Sequence, residues 1–79
     1  MPSMSALPEV LRALDAIILG KRLEKTRQEI TRATAKLSNP SFVDHAPPQV
    51  VATERERIAQ FEATAANLER QLASVRELL

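Results

Sequence analysis

From Gln49 onward, apolar side chains recur every third and fourth residue. Val51, Ile58, Ala65, Leu72 and Leu79 stand seven apart, Phe61, Leu68 and Val75 fill the positions between them, and only Glu54 breaks the series with a charge. A seam of this kind, held over about four heptads, marks a helix packed in a coiled coil, where a and d side chains insert between those of the partner. A weaker copy of the pattern runs through Leu19, Leu23, Thr26, Ile30, Ala33 and Leu37. Pro40, Pro47 and Pro48 punctuate the segment between the two, where their missing N–H groups and fixed φ oppose a continuous helix. Two proline-free stretches, Glu9 to Asn39 and Gln49 to Leu79, can each form a helix of roughly 45 Å. The expectation is an all-α fold: an antiparallel two-helix coiled-coil hairpin over residues 21–79, with its tip at 38–48.

The tip has its own signals. Asn39 before Pro40 suits an N-cap followed by proline in the first turn, which predicts a single helical turn from Pro40 to His45. Pro47 and Pro48 suit the first turn of the second arm, and Phe42, Val43, Val50 and Val51 are expected to form an apolar plug. Facing residue numbers in an antiparallel pair add to a constant. A sum of 91 sets Ala33 against Ile58, Ile30 against Phe61, Thr26 against Ala65, Leu23 against Leu68 and Leu19 against Leu72. That register gives small against large or Leu against Leu, as close packing requires. It also brings Arg27 beside Glu62.

Upstream the apolar phase shifts. Leu7, Leu11, Leu14 and Ile18 form one stripe and Val10, Leu14 and Ile17 a second beside it, ending just before Gly20, the only glycine. Residues 1–20 therefore read as a short extra N-terminal helix, separate or kinked. Its side chains Leu7, Leu11, Leu14, Ile17 and Ile18 are expected to be buried against the hairpin base or against a second copy in a homo-oligomer.

Composition narrows the function. The chain has 79 residues, no cysteine and one histidine, His45. A disulfide framework, a thiolate metal site and a nucleophile–histidine triad are thereby excluded or left without parts. No glycine-rich phosphate loop occurs, so neither stand-alone catalysis nor a cofactor is expected. No apolar run reaches membrane-spanning length, and Met1-Pro2-Ser3-Met4-Ser5 lacks the positive region of a secretory signal. The expected location is the cytoplasm, with no membrane partner.

Charge is distributed unevenly. Lys21, Arg22, Lys25, Arg27, Arg32 and Lys36 face only two acids, Glu24 and Glu29, on the first arm, whereas the second arm has four basic and five acidic residues. Lys21, Lys25 and Arg32 fall opposite the seam, with Lys36 near its edge and Arg22 and Arg27 at the flanks. Such a stripe is either a solvated helix exterior or a ridge that contacts phosphates. No aromatic residue interleaves with it, so a folded RNA read through backbone and shape is the better candidate than unpaired bases.

At the tip the sequence resembles the C-terminal coiled-coil arm of bacterial-type valyl-tRNA synthetase. The likeness rests on Lys36-Leu37-Ser38-Asn39, then Phe42-Val43, Ala46-Pro47 and Val50-Val51, then Glu54-Arg55 and Ala59 with Phe61, and it extends over roughly 21–79. The resemblance implies a non-catalytic hairpin that reaches the outer corner of tRNA, where the D and T loops meet, and assists a valine-tRNA ligase. It implies valine tRNA and the catalytic body of the synthetase as partners, and the charge excess of the first arm makes its six basic residues the expected tRNA-binding set. Neither an H-x-G-H nor a K-M-S-K-S signature of the catalytic domain is present. The alternatives are a hairpin that dimerises or binds protein through its apolar N-terminal helix without RNA, and the C-terminal coiled coil of certain soluble ABC-type ATPases.

Overall fold

The computed structural model describes the backbone of residues 2–78 and the side chains of residues 9–78. Helix α1 spans Pro2–Ser38, α2 spans Pro40–His45 and α3 spans Pro48–Leu78. The two long helices pack antiparallel into a rod of 65 × 15 × 14 Å. The hairpin expected from the heptads is the fold.

The tip follows its local chemistry. Asn39 is extended at φ −85° and ψ 111°, and its Oδ1 accepts the Ser41 N–H at 3.1 Å. Pro40 opens the turn where no donor is needed. Ala46 closes it, its N–H reaching the Phe42 carbonyl at 2.8 Å, and takes ψ 140°. That extended conformation is the one a residue before proline prefers. The Pro47 carbonyl then accepts the N–H groups of Val50 and Val51 at 2.9 and 3.3 Å, which starts α3. Phe42, Val43 and Val51 are half-buried there, but Val50 is exposed and lies outside the expected plug.

The core lies in the half of the hairpin away from the tip. Leu19, Leu23, Ala65, Leu68 and Leu72 form one buried cluster, with Ala16, Ile30 and Val75 packed against it. Among the described residues, two of the three polar contacts between the arms lie close to the expected register. Lys36 meets Glu54 and Arg12 meets the Leu78 carbonyl, both pairs adding to 90, one away from the expected 91 and far from a heptad slip to 84. Thr26 sits in the seam at no hydrogen-bonding cost, because its Oγ1 donates to the Arg22 carbonyl at 2.8 Å.

Three further expectations need correction. Arg27 reaches Glu69, at 2.7 Å, and not Glu62. Every Cα–Cβ bond tilts toward its helix N-terminus, so Arg27 leans toward the Leu23–Leu68 layer while Glu69 leans back to meet it; Glu62 leans away. The apolar N-terminal segment is helical, but it is the first part of α1 and not a separate helix. Gly20 lies inside α1 without positive φ. One glycine costs a helix only about 1 kcal/mol, and Leu19 and Leu23, both packed on α3, hold the backbone on either side of it. Finally, Leu11, Leu14, Ile17 and Ile18, with Val10, are not buried against the hairpin base: each is 50–55% exposed. The seam at that level passes through Ala16 and Arg12, so positions half a turn away face outward. The side chain of Leu7 lies outside the described residues.

Candidate nucleic-acid interface

All six basic residues of the first arm, Lys21, Arg22, Lys25, Arg27, Arg32 and Lys36, are exposed on α1. The helix sorts them into three settings. Lys21, Lys25 and Arg32 line one shallow groove on the outer face together with Glu24, Gln28 and Glu29. Arg22 stands at one edge of the seam beside Gln71 of α3, and Arg27 stands at the other edge in its pair with Glu69. Lys36 belongs to the tip.

Ion pairing divides them further. Among the described residues, Lys21, Arg22 and Lys25 enter no ion pair, whereas Arg32 Nη1 lies 3.3 Å from Glu29 Oε1. The Arg32–Glu29 and Arg27–Glu69 pairs join exposed partners, and such pairs contribute about 0–1 kcal/mol. A phosphate can therefore draw either guanidinium away from its carboxylate at small cost.

Lys36 is held differently. Its Nζ is 3.8 Å from Glu54 Oε1 and 5.6 Å from the centre of the Phe42 ring. Glu54 occupies a seam position with its side chain only 12% exposed, and it also meets Arg57 Nη1 at 3.7 Å. Arg57 in turn lies 5.9 Å from the centre of the Phe61 ring. Arg32, Lys36 and Arg57 thus border one groove that spans both arms, with Ala33 and Phe61 at its floor and Glu29 and Glu54 in its wall. Arg57 escaped the sequence reading because the second arm is balanced in charge. The signal was its place three residues after the one charged seam position.

His45 is exposed, and its Nδ1–H donates to the Ser41 carbonyl at 2.7 Å, a bond that fastens the tip turn. No cluster of three or more His, Cys, Asp or Glu able to hold a metal ion occurs among the described residues. No helix among them is long and apolar enough to cross a membrane.

The arrangement is matched by known sequences. The family model described as the valyl tRNA synthetase tRNA binding arm matches residues 18–76. The valine–tRNA ligase of Dechloromonas aromatica is 40% identical over 67 residues, 85% of this chain and 7% of that protein. That of Mesorhizobium japonicum is 40% identical over 65 residues, covering 82% of this chain and 7% of the ligase. The Francisella tularensis ligase is 46% identical over 44 residues, 56% of this chain and 5% of its own. The chain therefore spans a small fraction of the length of the relatives it matches. No solved structure matches it.

Proposed function

We propose a function from one established premise: the chain belongs to the valyl tRNA synthetase tRNA binding arm family, a non-catalytic part of that ligase. On our reading it binds tRNA, contacts the outer corner through the basic face of α1, and assists the attachment of valine to its tRNA. The observation that carries this is the trio Lys21, Arg22 and Lys25, exposed and without ion pairs among the described residues, inside the stretch 18–76 that the family model covers. Arg27, Arg32 and Lys36 join the set by exchanging a carboxylate for a phosphate.

The partners are then a tRNA, in the first place valine tRNA, and the catalytic body of a valine–tRNA ligase, with the cytoplasm as the place of action. A handful of phosphate contacts alone supports affinities of order 10⁻⁴–10⁻⁶ M. Held beside a tRNA already gripped by a synthetase body, the arm would act at an effective concentration of about millimolar, where such contacts matter. A second copy is a further partner, because the apolar face of the N-terminal part of α1 stands open.

The test is tRNA binding by the full chain across a salt series. For about four phosphates neutralised, log K against log salt should fall with a slope of roughly −3 to −4. Lys25→Gln with Arg32→Gln should weaken binding without changing helix content, since neither side chain is in the core. Arg70→Gln with Arg76→Gln, on α3, should do less. Equal losses from both pairs would put the ridge on the wrong face. Absence of binding, also when the chain is joined to a ligase body, would favour the interaction module.

A further inference from the structure

Val10, Leu11, Leu14, Ile17 and Ile18 are the largest feature that tRNA binding leaves unused, each 50–55% exposed on the continuous helix α1. Their spacing is palindromic. Leu11 and Val10 lie three and four residues before Leu14, and Ile17 and Ile18 lie three and four after it. Steps of three and four keep all five on one face. Arg12 and Ala16, which continue the seam toward α3, are each two residues from Leu14 and so about half a turn away. The stripe therefore points away from the hairpin partner. The family match begins only at residue 18, so four of the five positions precede it.

We propose that this stripe is a homodimer interface in which the α1 helices of two copies pack antiparallel about a twofold axis at Leu14. Facing numbers then add to 28: Val10 meets Ile18 of the second copy, Leu11 meets Ile17, and Leu14 meets Leu14. A twofold interface requires a patch that is complementary to itself, and a sequence symmetric about one residue supplies it.

Charge selects the direction. The same outer face carries Lys21, Lys25 and Arg32 beyond Ile18. Two helices packed parallel would set these ridges side by side at an interaxial distance of about 8–10 Å. Packed antiparallel about Leu14, the two Lys21 positions are about 21 Å apart along the axis at ~1.5 Å per residue. That distance is beyond the screening length of about 8 Å at physiological salt. The two ridges then diverge from each other: Lys21 and Lys25 face residues 7 and 3 in the first turns of the second copy's α1, and Arg32 lies clear of it.

The area sets the strength. Five half-exposed side chains amount to a patch on the order of 400 Å² per copy, at the scale where a monomer's largest patch is often functional. Two such patches with their flanking stems fall in the weak class of interfaces, below about 1,200 Å² in total. Association is therefore concentration-dependent.

The experiment uses the whole chain and no RNA, so its outcome is independent of the tRNA reading. By sedimentation the mass should rise from the 8.8 kDa monomer toward twice that value as concentration climbs from about 10 µM to 1 mM. Leu14→Asp should stay monomeric throughout with unchanged helix content, because Leu14 is already exposed in the single chain. With no native cysteine, single spin labels at Glu24→Cys or Gln28→Cys report orientation. The antiparallel dimer predicts axial separations of about 30 and 42 Å for the two label sites. Equal, short separations at both sites would overturn the antiparallel arrangement. A monomer at 1 mM would overturn the dimer and assign the stripe to a different protein surface.

Discussion

Glu54 is the one charged side chain in the seam, and its surroundings explain how a coiled coil tolerates it. Lys36 and Arg57 approach its carboxylate from the two arms, and both keep most of their contact with water. Replacing a mostly buried, paired charge by an apolar residue of similar size is often neutral or stabilising, and a fully buried Leu contributes about 1.5–3 kcal/mol. Glu54→Leu should therefore raise the stability of the hairpin by roughly 1–2 kcal/mol, read as a higher midpoint in a urea titration. Lys36 and Arg57 would be left free at the tip, and tRNA affinity should not fall. A lower midpoint would show that the three-way pairing holds the tip together. The sequence displays Glu54 as an irregularity in the heptads. What it did not display was the pair of cations from different arms, since that meeting depends on the register.

At the scale of elements, the heptads and prolines were legible because each acts locally. Asn39, Pro40 and Ala46 do in three dimensions what their side chains and rings dictate in one. The N-terminal segment was harder. A change of apolar phase and a single glycine look alike whether a helix breaks or simply turns a different face outward. Here α1 continues, and the phase shift marks where its apolar side chains leave the seam and move to the outer face. Gly20 then has no conformational duty: its φ is not positive and a Cβ would meet nothing within 4 Å. Gly20→Ala should stabilise the chain by about 1 kcal/mol in thermal or chemical unfolding. Loss of stability on this change would mean that α1 needs to bend there.

Over the whole molecule, the candidate site was partly visible in advance. The count of basic residues picked out the first arm, and all six prove exposed. The count could not separate cations without ion pairs, Lys21, Arg22 and Lys25, from those tethered to Glu69, Glu29 and Glu54. Pairing across a hairpin is a matter of side-chain tilt and register, which periodicity alone leaves open. The distribution of the core was also hidden, because a heptad gives the same letter to Leu19 and to Ala33 while their layers differ in bulk. Buried Leu side chains cluster between Leu19 and Leu72, whereas the layers nearer the tip rely on Ala33 and on half-buried Leu37, Ile58 and Phe61. Regions with few buried apolar contacts open at lower free energy than the core. Amide hydrogen exchange should therefore be slowest around Leu19–Leu23 and Leu68–Leu72 and should quicken steadily toward Ser38 and Pro48. Uniform protection along both helices would contradict this gradient.

Mechanically, a rod packed in this way is a cantilever whose compliance is concentrated near its free end. A force applied at the tip would flex the lightly filled layers around Ala33 and Glu54, where the restoring contacts are ion pairs and rings that slide with little strain. The leucine layers at the root would carry almost none of that deflection. The tip could then follow an irregular curved surface while transmitting little torque to whatever holds the other end.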